Sequence, residues 1–503
     1  MRGLPRSLAI GRTAGLVAVG AGLILGADHL PASINVAPAA SPRTVTRALA
    51  DPVTRTVSIC PGPEALGVGG LKDSAAQTVA VMAAAAPVAS LPPGFTPGKG
   101  KGSLTVSGLP PGGVWGAPVT LRGQVVSARL SEARSAMVTG SGELAPGTVA
   151  TQWSWIATGD ARRFVTSACM PAAASSWLIA GGAAPGRLEH LVLSNPGANP
   201  VTVDVRVFGA GGPARSPNGQ GVVVAGHGRT VILLDAIAAA EASPVVHVIA
   251  RGGKVAAVLS DSWLDGLVPR GGDDAAPVTG PAREQVIAGV PIDGRASLRV
   301  AVPGDSEAVV QSRVLTPRGP RPLQANAVTR VGPGSTRDID LGALPPGVYG
   351  VQVRSDVPVV AGVMVDSRRT PSGPSDLAWA AASAPIRTLA GMALPASSVT
   401  GFAQRLNLVA TTGPATVRVT TVRPNGGVST KQVVIAADSV SMVSLKGPSS
   451  GGAQSVWVTP LSGVVRAGVL TAVTDAAGSM LSLTPLTDLI LTATPSPLRQ
   501  LRD

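Results

Sequence analysis

The sequence predicts an all-β chain, with an N-terminal signal or anchor segment followed by tandem immunoglobulin-like β-sandwich modules. Three observations predict it. A strand pattern recurs every 105 residues, as Val246-His247-Val248, Val351-Gln352-Val353 and Val456-Trp457-Val458. Apolar residues make up 45% of the chain but aromatics only 2%, so the apolar mass is Ala, Val and Leu, and Val favours strands. With 62 Gly and 45 Pro, the 503 residues are punctuated by turns that interrupt helices. A repeat of this length exceeds a solenoid unit and suits a small domain with its own core.

At the N-terminus, Arg2, Arg6 and Arg12 precede an uncharged apolar stretch from Thr13 to Ala27, closed by Asp28. Residues 1–28 therefore read as a signal peptide or membrane anchor, and 29–50 as a linker. The stretch is shorter than the ~20 residues of a membrane span. The small-x-small site Ala37-Pro38-Ala39 lies well beyond it, so we expect an uncleaved or late-cleaved anchor with the rest of the chain outside the cytoplasm. The Ala-rich stretch from Thr78 to Ala86 ends at Pro87 and is too short for a second span.

Cys60 and Cys169 are an even number in an exported chain and are expected to pair. The bond would tie the N-terminal segment onto the start of the first repeat. Residues 51–165 read as a degenerate fourth module or cap, with strands at Arg55–Cys60, Ser103–Gly108, Val119–Val126 and Val149–Ala157. The repeats follow at 166–276, 277–383 and 384–488, and 489–503 form a tail. In the first repeat Val201, Val203, Val205 and Val207 share one face, against Thr202, Asp204 and Arg206 on the other. Gly221 to Leu234 reads as a hairpin around Ala225-Gly226-His227-Gly228, and Arg251-Gly252-Gly253-Lys254 as a tight turn between two strands. About seven short strands per repeat match an immunoglobulin-like sandwich. A β-propeller-like closed arrangement of the same repeats is the alternative.

Chemistry is sparse. The net charge of +13 contains no run of five basic residues, so attraction to an anionic surface is the most it implies, and no nucleic-acid partner is expected. Gly447-Pro448-Ser449-Ser450-Gly451 spells a nucleophile elbow, but as a loop running from one strand into another, without the helix that the elbow needs. His29, His190, His227 and His247 lack metal-ligand spacing. Carboxylates are sparse: Asp261 and Asp265 around Trp263, Asp338 with Asp340, and the adjacent Asp273-Asp274, which on a Gly-rich loop could hold Ca2+ but without a D-x-D-x-D-G loop read as a polar turn. No catalytic residue, metal or cofactor is predicted. Seven Trp stand against one Tyr and four Phe. Trp153 and Trp155 share one face of a strand, and with Trp177 and Trp263 they are the candidates for contact with a glycan, core packing being the alternative.

The run Ala168-Cys169 through Pro171, then Trp177-Leu178-Ile179-Ala180-Gly181-Gly182 and Leu191-Val192-Leu193-Ser194-Asn195-Pro196-Gly197, resembles an actinobacterial domain-of-unknown-function family. Cys60-Pro61-Gly62-Pro63 and Gly271-Gly272-Asp273-Asp274-Ala275-Ala276-Pro277 fit it too. The resemblance implies a secreted or membrane-anchored envelope component, sometimes encoded beside a large glycosyltransferase, and supplies no catalytic residues. The expected function is a non-catalytic extracytoplasmic cell-envelope scaffold or accessory factor for surface or cell-wall assembly. Its partners would be an envelope protein or polysaccharide, with membrane contact through the N-terminal segment. The alternatives are a carbohydrate-binding module assisting an envelope glycosyltransferase and an extracytoplasmic hydrolase, which requires a cleft with converging polar groups.

Overall fold

The computed structural model describes residues 51–493, apart from 64–77, 132–133, 239–240, 293–294, 324–326, 342–343, 369, 371, 396–400 and 446–452. The expected signal or anchor (1–28), the linker (29–50), the elbow-like 447–451 and the end of the tail lie outside the described residues. No helix among the described residues is long and apolar enough to cross a membrane.

The first module contains β1 (Arg55–Cys60), β2 (Thr78–Ala85), β3 (Ser103–Leu109), β4 (Val114–Val119), β5 (Val125–Arg129), β6 (Ser135–Ser141), β7 (Thr148–Ile156) and β8 (Arg163–Ala168). The second, the first sequence repeat, contains β9 (Ser175–Ile179), β10 (Arg187–Ser194), β11 (Val201–Gly209), β12 (Gly212–Pro213), β13 (Val222–Val224), β14 (Arg229–Leu233), β15 (Val245–Arg251), β16 (Ala256–Asp265) and β17 (Val268–Ala275). The third contains β18 (Ala282–Ile292), β19 (Arg295–Ala301), β20 (Ala308–Thr316), β21 (Gly319–Pro322), β22 (Val328–Val331), β23 (Thr336–Asp340), β24 (Gly347–Asp366) and β25 (Leu377–Ala381). The fourth contains β26 (Ala390–Ala393), β27 (Phe402–Ala410), β28 (Ala415–Val422), β29 (Val428–Ile435), β30 (Ser439–Leu445), β31 (Ser455–Ser462), β32 (Arg466–Asp475) and β33 (Gly478–Leu486).

All four modules share one strand order. The first pairs β1-β6-β3-β4 in one sheet and β5-β2-β7-β8 in the other, and the fourth repeats this as β26-β31-β28-β29 and β30-β27-β32-β33. In the second, the sheets are β12-β11-β15-β9 and β14-β10-β16-β17, the edge position being split between β12 and β13. In the third, the 20-residue β24 serves both sheets, pairing with β18 and β20 through its first half and with β19 and β25 through its second. Each pair of sheets encloses one apolar core, around Val81 and Val106 in the first, Leu191 and Val205 in the second, Leu298 and Val351 in the third, and Leu406 and Val417 in the fourth. The modules are sandwiches by this criterion.

The structure corrects several sequence-based expectations. Residues 51–165 are no cap: with β8 they form a complete module of the common order. Gly221 to Leu234 is no hairpin, because β13 pairs with β11 while β14 pairs with β10 in the opposite sheet. The strand expected at Val119–Val126 breaks into β4 and β5. The strand order also departs from the immunoglobulin arrangement, whose sheets run A-B-E-D and C-F-G. The second strand still pairs with the fifth and the third with the sixth, as B with E and C with F, but here the first strand pairs with the sixth and the seventh with the second. The Ala-rich stretch is β2, buried at every position but its first between two sheets.

The modules close on one another. Ile59, Leu109 and Ala256 join the first to the second, and Val286, Leu315, Val409 and Val440 join the third to the fourth. Trp379 and Leu377 of the third enter the core of the second. Met82, Val149, Leu389 and Trp457 join the fourth back to the first. The end of the body pairs with its start: Val53 N–H donates to Leu491 O at 3.0 Å and Ala493 N–H to Asp51 O at 2.8 Å. The second module thus neighbours the first and third, the fourth neighbours the third and first, and the four form a closed ring.

Candidate functional site

The last strand of each module, β8, β17, β25 and β33, lies at the centre of the ring, where each packs against the next. The hydrogen bonds between them advance in the same direction along both partners. Arg162 Nη2 donates to Gly478 O at 3.0 Å and Thr166 N–H to Ser482 Oγ at 2.9 Å. Ser375 N–H donates to Pro269 O at 3.0 Å and Trp379 N–H to Asp273 Oδ2 at 2.8 Å. Neighbouring last strands therefore run side by side, and the turns that precede them gather at one end of the ring.

Buried carboxylates fill this centre. Asp376 accepts from Leu481 N–H at 2.6 Å and from Gly272 N–H at 3.3 Å. Asp273 accepts from Trp379 N–H and, at 3.1 Å, from Ser482 Oγ. Ser167 Oγ donates to Asp274 Oδ2 at 2.7 Å. Gly271 has φ +86°, and a Cβ there would lie 1.8 Å from Asp376 Oδ1, so this approach of two modules requires glycine. Burial holds Asp273 and Asp376 well above the usual carboxylate range, and Asp274 adds repulsion to the first and Asp273 to the second.

A second polar cluster seals the seam between modules two and three. Arg187 grips Asp261 through Nε and Nη2, and Trp379 Nε1 donates to Asp261 Oδ2 at 2.7 Å. Burial opposes ionisation of Asp261, but the Arg187 charge and these hydrogen bonds outweigh it and keep the carboxyl below its usual range. Burial and the charge of Asp261 push neighbouring Glu189 up to about 7. Arg299 pairs with Asp338 and donates through Nη1 to the carbonyls of Ala180, Gly181 and Pro244.

Cys60 and Cys169 are disulfide-bonded. Because Cys169 follows β8, the bond joins the two sheets of the first module across its core rather than fastening that module to the next repeat. Such a bond points to an oxidising, extracytoplasmic environment.

The four candidate tryptophans occupy different settings. Trp153 and Trp155 do share the outer face of β7, half-buried, where they pack with Phe164 and Phe402 of the fourth module. Trp153 stacks on Phe164 at a centroid distance of 6.2 Å. Trp177 is buried and lies 3.9 Å from His247, its ring nearly parallel. His247 is thus a stacked partner of Trp177, and burial followed by the Arg206 charge lowers it to about 4. Trp263 is half-buried, with the guanidinium carbons of Arg187, Arg270 and Arg368 between 5.7 and 6.0 Å from its ring centroid. The structure brings Trp153 and Trp155 together and leaves Trp177 and Trp263 apart from them. Sequence reasoning missed Trp379, whose two N–H groups bind two aspartates of the preceding module. It also placed Asp273 and Asp274 in a polar turn, whereas they lie buried in β17. No group of three or more His, Cys, Asp or Glu side chains among the described residues is arranged to hold a metal ion.

A family of unknown function, DUF5719, matches residues 125–446. The chain belongs to this family. The match begins at β5 of the first module and ends beyond β30 of the fourth, so DUF5719 spans parts of all four sandwiches and the acidic residues of both polar clusters, but not Leu481 and Ser482. No curated protein matches the chain. Among solved structures, a crystal structure of a tetra-tandem repeat in the extending region of a large adhesion protein aligns at 12% identity, over 78% of this chain and 92% of that one. Its TM-score of 0.10 carries no structural argument.

Proposed function

We propose that this DUF5719 protein is a non-catalytic extracytoplasmic component of the cell envelope, a scaffold or accessory factor for assembly of the surface layer. An actinobacterial source, attachment to the membrane through residues 1–28 and an envelope protein or polysaccharide as partner belong to the same proposal. The observation that carries it is the use to which the buried acids are put. Asp261, Asp273 and Asp376 each bond a neighbouring module, so the groups best suited to chemistry hold the ring together. A closed ring of four sandwiches, the first of them disulfide-bonded across its core, is a stiff body with a large outer surface, which suits display and contact.

A carbohydrate-binding role beside a glycosyltransferase is the second reading, favoured by Trp153 and Trp155 standing half-buried on one face. The test is binding of the purified chain to isolated membrane and cell-wall polysaccharide fractions at low and high salt. Saturable, salt-resistant binding that Trp153→Ala and Trp155→Ala leave intact is expected. Loss of polysaccharide binding in these variants would transfer the case to the second reading. Binding to neither fraction, or only binding that salt abolishes, would overturn both.

A further inference from the structure

The seam between the third and fourth modules is not filled along its whole length. It opens into a cleft of about 410 Å³ lined by Ile292 and Val348 of the third module and by Leu470, Ala472, Leu481 and Arg405 of the fourth. This volume falls within the range of small-ligand clefts. Its floor is apolar for a reason visible in the fold. Leu470 and Leu481 point outward from the fourth module and are buried in the core of the third, beside Ile292 and Val348, with Ala472 packed on the same cluster. The cleft is the stretch of that interface where the two modules diverge.

Arg405 lies beside this floor, because its strand position faces Leu470 across the β27–β32 pair. It is exposed, and among the described residues its guanidinium has no hydrogen-bond or ion-pair partner. Arginines at the other seams are committed: Arg466 in this same seam binds Glu284 at 3.0 Å, Arg162 binds Asp475 at 2.8 Å and Arg299 binds Asp338 at 2.7 Å. Thr474 and Ser479, whose hydroxyls lie 3.0 Å apart, add polar groups to the lining. Among the described residues, the lining contains no aromatic ring on which a sugar would stack. An unpaired guanidinium beside an apolar cleft complements a molecule with a hydrocarbon chain and an acidic head, since Arg pairs carboxylate and phosphate oxygens in a two-point fork.

We propose that this cleft binds a single-chain anionic amphiphile, with its hydrocarbon chain between the two modules and its acid head on Arg405. The site goes beyond the envelope-scaffold reading and does not depend on it. The head is a carboxylate, as in a fatty acid, or a phosphate, as in a lipid phosphate; the two share the chemistry that Arg405 recognises.

The test is calorimetric titration of the full chain with dodecanoate and with dodecyl phosphate, both below their micelle concentrations. Saturable binding of one molecule per chain is expected for at least one of them, and the tighter of the two identifies the head. Dodecanol should bind at least tenfold more weakly, and acetate and inorganic phosphate should not bind measurably. Arg405→Ala should bring the acid down to the level of dodecanol, and Ala472→Trp, which fills the cleft, should abolish binding. The absence of saturable binding by either acid would overturn the proposal. So would equal affinity in the native chain and in Arg405→Ala, or binding of acetate or phosphate as tight as that of the amphiphile. Because Arg405 is exposed and unpaired, its variant decides the matter even if Ala472→Trp fails to fold, and thermal melting of each variant shows which case applies.

Discussion

The carboxylate of Asp376 accepts a 2.6 Å hydrogen bond from the backbone N–H of Leu481, so one acidic side chain of the third module holds the last strand of the fourth. Its other oxygen takes the N–H of Gly272 in the second module. One residue therefore bridges three modules at the centre of the ring. Asp273 acts in the same way toward Trp379 and Ser482, and the two together make the ring's centre polar although its four modules have apolar cores.

Replacing Asp376 with Ala should leave two buried N–H groups without acceptors. A buried donor left unsatisfied costs about 1–3 kcal/mol. Asp376→Ala should therefore lower the stability of the body by at least about 1 kcal/mol, read as a fall in denaturant midpoint, while Asp376→Asn, which keeps one acceptor oxygen, should fall less. Equal midpoints for the native chain and Asp376→Ala would remove this carboxylate from the account of ring closure.

The stability that Glu189 contributes should decline as pH rises from about 4.5 to 7. Glu189 has an ordinary value of 4.5 and is held at about 7 in the fold, by burial first and then by Asp261. Across that window the folded chain keeps a proton that the unfolded chain has released. The folded state binds more protons, so stability falls with rising pH. Asp273 and Asp376 act in the same direction from about 3.8 upward, for their folded values are also raised. Asp261 acts oppositely, but its contribution is lost only below that range, as pH falls through its lowered value. His247, lowered from 6.5 to about 4, also acts oppositely and adds stability as pH rises between those values. The Tm of the native chain minus that of Glu189→Gln, measured at intervals from pH 4.5 to 8, cancels these shared contributions and should decrease. A difference that stays constant across this range would contradict the assignment.

The disulfide should contribute strongly to the first module. It links residues 109 apart in sequence, and for a loop of that size chain entropy gives about 4–5 kcal/mol. Paired replacement by Ser at Cys60 and Cys169 should lower the unfolding midpoint of the first module most, because the bond spans that module's own two sheets. Limited proteolysis should then cut first within residues 51–169. Cleavage appearing first in the fourth module instead would show that the bond stabilises the ring rather than the sandwich.

The pattern of these residues explains what was legible in the sequence. Val201, Val203, Val205 and Val207 are buried while Thr202 and Arg206 are exposed, so β11 could be read from period-2 alternation alone. Leu191, Val192 and Leu193 are consecutive and all buried, since the neighbouring module covers the outer face; such a run marks a strand but names no partner. That is why β13 and β14 looked like a hairpin although they lie in opposite sheets. The strand order of the first module was hidden for the same reason in β2, where burial on both faces leaves an Ala-rich run without alternation. At the centre, Gly271-Gly272-Asp273-Asp274 has turn composition, yet Gly271 is there so that Asp376 can approach closely, and a Cβ on Gly272 would lie 2.7 Å from Asp261 O. The Trp153–Trp155 face was readable from spacing, but Phe402, which covers part of it, lies far away in sequence and no local pattern points to it.

The closing seam gives the most direct test of the ring. Trp457 is the largest of the completely buried side chains and stands between the fourth module and the first, against Met82, Val149 and Leu389. Its Nε1–H donates to Ser455 Oγ at 3.2 Å, and a Cβ on Gly391 would lie 2.4 Å from its ring, so the fourth module is shaped around it. Trp457 takes the position of His247 and Gln352 in the other copies, and in this copy the side chain packs with Met82 and Val149 of the first module. Trp457→Ala should cost about 3–5 kcal/mol, as large-to-small changes at buried aromatic sites do. The loss should be shared by the first and fourth modules, since the cavity opens on both. Hydrogen exchange should therefore show protection falling together in β2, β7 and β31. A loss confined to β31 would mean that the fourth module is stable apart from the first and that the seam does not close the ring.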